Sequence, residues 1–456
     1  MKNTKLVYKT NLLLPLALLS ACSNKKPIVG ERESIVVSSV DERRKFDFDE
    51  SPVIIDTEQK NSNFMQNYMN SSHSYRPLNF AGSFQKVWSA QLKRGAGDSL
   101  KITASPVVAD GRVFCMDADG RVYANAQKTG ARLWEVSTTL PKKDGQLGGA
   151  MAYHRGRLIV TSSFSECFSI DPTDGKILWR INLPAPCKGD GITVADGKAY
   201  ILCSNSKLQV LDVTTGKLIW SHSGIVAESS FIGSAAVAVS DGLVFVAYPS
   251  GEIHALLQET GESIWDTIFS KASLIDTAHS FIHPRACPVV KDGIVYFSSA
   301  SCKTYALDIK TGNTVWEREF GSVQTPIVSG NSIFIFKGSS EIVCLNNKTG
   351  ALRWASVLDN SAKMAKATSG DWFSKTLGKL LSKNNHNIGD WYGQLLVSGH
   401  ILMLSPNGRA MLLSASDGKI VKSAMLKTGG TISVNPVVAS STMYVLDDGG
   451  TLSAYQ

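Results

Sequence analysis

From about residue 81 to the C-terminus, the chain repeats one pattern of apolar and polar positions. Apolar or alternating stretches of about five residues are separated by Asp-Gly, Thr-Gly, Ser-Gly and Asn-Gly pairs. One set of stretches includes DGRVFCMD, DGKAYILC, DGLVFVAY and DGIVYFSS. The next includes RVYANAQK, KLQVLDVT, EIHALLQE and KTYALDIK. These lead into TGARLW, DGKILW, TGKLIW, TGESIW, TGNTVW and TGALRW. Alternation with a period of two predicts strands, and the Gly of each pair supplies the positive φ that a tight hairpin requires. Each unit therefore predicts four short strands.

Tryptophan marks the repeat, at Trp88, Trp134, Trp179, Trp220, Trp265, Trp316 and Trp354, with a spacing of 38–51 residues. Its place near the start of the fourth strand predicts a ring packed between neighbouring sheets. A further copy, DGKIVK (417–422), keeps the turn and is read as placing Val421 where the Trp would stand. Four strands per unit at this period predict an all-β fold, a β-propeller. Seven copies have the turn and the fourth strand. Residues 434–456 supply three strands with no fourth, and the strand around Trp88 has none before it. Joining the two makes an eighth blade and closes the ring with both terminal segments, which removes exposed sheet edges. Eight four-stranded blades are expected, with seven as the alternative.

The region before the repeat is different. Residues 1–10 are basic and polar, and NLLLPLALLSA (11–21) is too short to cross a bilayer as a helix but fits the apolar part of a secretory signal. Leu19-Ser20-Ala21-Cys22 resembles a bacterial lipobox. That resemblance implies removal of 1–21, acylation of Cys22 and, with Ser at position 23, sorting to the outer membrane. Residues 22–80, with KK, ERE, DERRK and DFDE, show no sustained period and read as a flexible tether; PVIID (52–56) within it is a short strand or a docking segment. The repeat then fills 81–456.

Composition narrows the function. The 456 residues are 43% apolar, enough for a large core, and the net charge of +8 includes Lys2, Lys5 and Lys9 of the leader. So small a charge without a basic run in the body argues against a nucleic-acid partner. No CxxC, GxSxG, HExxH or P-loop pattern occurs. The cysteines after Cys22 mostly fall in strands and read as small buried apolar side chains; Cys187 and Cys287, both in loops, are the better candidates for a disulfide. His279 and His283 are four apart but in a loop, which suits solvation or a partner contact better than a metal, and no metal or cofactor is expected.

One insertion breaks the repeat within 357–390. In DWFSKTLGKLLSK (371–383), Trp372, Phe373, Leu377, Leu380 and Leu381 fall at helical spacing, Lys375, Lys379 and Lys383 lie opposite, and Asp371 is placed to cap the start. Such a basic amphipathic helix lies on an anionic surface, docks on a partner or folds back onto the rim.

The repeat VxxGxVYxxxxxGxxYALDxxTGxxxW resembles that of pyrroloquinoline-quinone dehydrogenases and their non-enzymatic relatives. Together with the lipobox and tether, it resembles the BamB family, the propeller lipoproteins of the bacterial β-barrel assembly machinery. The resemblance implies a non-catalytic scaffold on the periplasmic face of the outer membrane, binding the POTRA domains of the barrel insertase BamA alongside other assembly lipoproteins. It also implies partner contacts in two neighbouring loops, here 222–231 and 279–287, with Ile225, Val226, Glu228, His283 and Arg285 as the candidates. The first loop lacks the family's Arg, and His283 and Arg285 stand where an acidic pair is expected. A quinone-dependent periplasmic dehydrogenase and a ligand-binding propeller are the alternatives; the vicinal Cys-Cys and the clustered carboxylates expected of the former are missing from the sequence.

Overall fold

The computed structural model describes residues 47–97, 100–138, 149–187, 189, 191–226, 235–268, 286–299, 303–337, 341–358 and 391–456. These form eight four-stranded antiparallel sheets. Blade 1 is Val107–Ala109, Arg112–Met116, Arg121–Ala126 and Arg132–Ser137. Blades 2 to 7 repeat that order, with first strands Gly149–His154, Ile192–Ala195, Ala238–Ser240, Val289–Lys291, Ile327–Ser329 and Tyr392–Val397. First strands touch in succession from blade 1 to blade 7, and that of blade 8 touches blade 1, which places them around the central axis. Blade 8 has strands Val437–Ala439, Thr442–Leu446 and Thr451–Tyr455, and its outer strand is Lys86–Gln91 from the other end of the chain, with Trp88 opposite Ala454. The eight-blade ring closed by both terminal segments is what the repeat count requires; the seven-blade alternative is set aside.

Local chemistry explains the hairpins. Between first and second strands, Asp110-Gly111 has φ of 49° and 72°, and Asp196-Gly197 has 48° and 76°. Two consecutive positive values match the twist of a two-residue hairpin, which Asp-Gly adopts readily. Between third and fourth strands, the Asp of each D-x-T-T-G or D-x-K-T-G piece holds its turn. Asp212 Oδ1 accepts from the Thr215 amide and hydroxyl, and Asp308 does the same with Thr311.

The tryptophans join blades. Each donates its Nε1–H to a backbone carbonyl in the next blade's third-to-fourth-strand turn: Trp88 to Gln127, Trp134 to Pro172, Trp179 to Val213, Trp220 to Gln258, Trp265 to Ile309, Trp316 to Asn347 and Trp354 to Ala415. Each ring lies on the Gly of that turn. A Cβ on Gly261 would stand 2.5 Å from the Trp220 ring, so only Gly fits. The residue at the Trp position of blade 7 is Lys422, opposite Leu412, and not Val421. The reason is the seam. Blade 8 draws its third and fourth strands from opposite ends of the chain, so it has no such turn for a Trp to sit on. Lys422 instead lies over the Phe84 ring, 5.7 Å from its centre.

Residues 47–80, expected as part of a tether, are bonded to the ring. Phe64, Leu78 and Phe80 are buried with blades 1, 7 and 8 in one core cluster. Asp49 takes the Arg353 guanidinium at 3.0 Å, and Asp56 takes Lys291 at 2.5 Å and the Gly330 amide at 3.1 Å. PVIID is therefore a docking segment. The cysteines also separate: Cys187 packs in the cluster containing Cys167 and Cys203, whereas Cys287 lies with Ala235 and Ala236, so the two are not bridged to each other.

Candidate partner-binding face

An antiparallel blade puts its first-to-second and third-to-fourth turns on one face of the ring. The blade-to-blade connections and the second-to-third turns lie on the other. The connections between blades 3 and 4 and between blades 4 and 5 carry the two segments singled out from the sequence. Their returning ends meet. The Ala236 amide donates to Cys287 Sγ at 3.2 Å, and Ala235, Ala236 and Cys287 form one small cluster against Tyr68. The Cys287 amide donates to Thr325 Oγ1 at 2.8 Å, tying the second segment to blade 6.

The leading end of the first segment is built on blade 4. Gly224 lies flat on Tyr248, where a Cβ would stand 2.4 Å from the ring. His222 Nδ1 is 2.7 Å from the Tyr248 hydroxyl, and the His222 and His254 rings meet edge-on at 4.9 Å. Burial, and then the neighbouring His254, pull His222 below the usual imidazole range. The Glu252 carboxylate accepts the Ile225 amide at 2.6 Å and the Ser250 hydroxyl at 2.7 Å, while its other oxygen is 3.8 Å from His254 Nε2. This fixed stem presents Ile225 and Val226, 63% and 70% exposed, to solvent. Two adjacent apolar side chains held outward on a rigid base suit contact with another protein better than chemistry.

Glu228, His283 and Arg285 lie outside the described residues, as do His279, Cys22 and the 371–383 segment. The structure thus brings the two loop bases together and shows Ile225 and Val226 exposed. Sequence reasoning missed the His222, Tyr248, Glu252 and His254 support. It is assembled across two blades, and its only trace in the sequence is polar residues at strand ends where the repeat is otherwise apolar. Among the described residues, no group of three His, Cys, Asp or Glu side chains is arranged to hold a metal ion.

Comparison with known proteins agrees with this architecture. A family model described as outer membrane protein assembly factor BamB matches residues 85–145 and 118–356. The outer membrane protein assembly factor BamB of Yersinia pestis is 25% identical over 378 residues, 81% of this chain and 88% of its own length. That of Escherichia coli strain K12 is 24% identical, over 80% and 87%. Among solved structures, BamB from Moraxella catarrhalis has a TM-score of 0.64 at 18% identity, covering 82% of this chain and 99% of its own. A quinohemoprotein alcohol dehydrogenase from Comamonas testosteroni has a TM-score of 0.62 at 12% identity, covering 86% and 80%, a likeness of fold. With the family model matched over more than half of the sequence, the chain belongs to the BamB family of outer membrane protein assembly factors.

Proposed function

We propose that this protein is a scaffold of the outer-membrane β-barrel assembly machinery. It binds the POTRA domains of the barrel insertase BamA through segments 222–231 and 279–287. Family membership makes it an assembly factor of the outer membrane and not an enzyme. Acylated Cys22 holds it at the periplasmic face, where several acyl chains give stable anchoring.

The observation that supports the binding reading is the rigid stem presenting Ile225 and Val226, with the returning end of the same segment bonded to the base of the second. Little conformational entropy is lost when such a preorganised surface binds. The test is co-purification of a C-terminally tagged protein from membranes in mild detergent. BamA is expected in near-stoichiometric amount, reduced at least tenfold by the Ile225→Ser/Val226→Ser double variant. Recovery of the lipoprotein alone, or unchanged BamA recovery with variants in both segments, overturns the assignment. Cys22→Ser is expected to release the protein from the membrane fraction.

A further inference from the structure

The segment 54–80 runs around the inside of the ring and touches every blade. It begins at blade 6, where the Asn331 amide donates to the Ile54 carbonyl. It then takes the Ser440 amide of blade 8 on the Asn61 carbonyl, Val108 of blade 1 on Phe64, and Tyr153 of blade 2 on Met65. At blade 3, Gln66 Oε1 accepts from the Val194 amide at 2.8 Å. Val239 of blade 4 donates to Ser71, Val290 of blade 5 to Ser72, and Ser398 of blade 7 to Leu78. The path then meets its own beginning, since Gln59 pairs with Leu78 and its amide donates to the Pro77 carbonyl.

One amide from each of the eight blades therefore ends on this segment. They belong to first strands or to the turns directly after them. A first strand has a partner strand on one side only, and its other edge faces the axis. Unpaired edge amides are costly when buried and invite foreign strands when exposed.

The segment also crosses the opening. Tyr68 packs on Ala235, Ala236 and Cys287 of the blade 4 and 5 side, and its hydroxyl accepts from Asn435 Nδ2 of the blade 8 side at 3.4 Å. His73 is buried, with Nδ1 2.7 Å from the Pro288 carbonyl. Tyr68, Met69 and His73 hold φ of 54°, 73° and 58°, left-handed values that bulky residues rarely adopt, so the surroundings impose this path.

We infer that residues 54–80 are an internal belt and plug: they take an axial amide from each of the eight blades and cross the channel at Tyr68 and His73. The belt is one cooperative unit, because each bond fixes the chain's approach to the next blade.

Hydrogen exchange on the full-length protein in detergent tests this by mass spectrometry of the eight first-strand peptides. In the wild type, the amides of Val108, Tyr153, Val194, Val239, Val290, Asn331, Ser398 and Ser440 are expected to exchange as slowly as the middle strands. Phe64→Ala/Leu78→Ala should speed all eight together by about 100-fold or more while the second and third strands stay protected. Gln66→Ala, a milder change, should speed Val194 and pass the effect to Tyr153 and Val239; it also serves if the double variant fails to fold. Wild-type exchange as fast as at the exposed Asp110-Gly111 turn, or acceleration confined to the amides facing each substituted residue, overturns the belt.

Discussion

The two faces of the ring are made by different means. On the turn face, connections are short and alike: tight first-to-second turns, most with two positive φ values and four of them Asp-Gly, then Thr-Gly or Asp-Gly under a tryptophan. On the opposite face, the blade-to-blade connections differ in length and composition from one blade to the next. The turn face is fixed by a local code repeated along the chain. The loop face is free of that code, so it can vary and recognise a partner while the ring below stays rigid.

Substitutions should separate the two faces. The largest effect is expected on the turn face. Trp220→Ala removes a buried ring and its bond to Gln258, and should cost about 3–5 kcal/mol in denaturant unfolding. Lys422→Trp is the matching control: with no turn glycine at the seam, the added ring should bring no gain in stability.

Acid should loosen the belt next. Burial lowers His73 from 6.5 to about 4. The unfolded chain binds this proton near 6.5 and the folded protein only near 4. The contribution is therefore complete above pH 6.5 and declines as pH falls towards 4. By pH 5 this amounts to about 2 kcal/mol, at roughly 1.4 kcal/mol per pH unit. His73→Gln should flatten that part of the stability profile between pH 7 and 5.

Asp49 titrates in a separate, lower window. Hydrogen bonds from Ser51 and Asn346, together with the Arg353 contact, hold its carboxyl well below the carboxylate range. Its contribution is present above about pH 4 and is lost below. Asp49→Ala should cost about 1–2 kcal/mol at pH 7, read from the urea midpoint.

The smallest stability change belongs to the loop face. Ile225→Ser/Val226→Ser should stay within about 0.5 kcal/mol of wild type while weakening partner recovery. A stability loss comparable to that of Trp220→Ala would show that these side chains pack in the fold, not against a partner.

The repeat was legible because strand alternation, the hairpin Gly and the docked Trp each act within a few residues or between identical neighbours. The belt was not. Its contact positions show no period because each meets a different blade at uneven intervals: Phe64, Met65 and Gln66 meet three blades in succession, whereas Ser71 follows Gln66 by five residues. The position of Lys422 was legible: it follows Gly418 by four residues, as each Trp follows its turn Gly, and what the sequence does not show is that no turn stands at the seam for a Trp to sit on. The stem under Ile225 was hidden because His222 comes from blade 3 and Tyr248, Glu252 and His254 from blade 4.

By itself, the sequence determined the all-β class, the four-stranded unit, the eight blades and their closure. Those follow from hydrophobic period and turn chemistry, which are local. Only the tertiary structure decided that residues 47–80 are bound and not free, that Lys422 marks the seam, and that the bases of two distant loops adjoin. These depend on contacts between residues far apart in the chain, which exist only once the ring has closed.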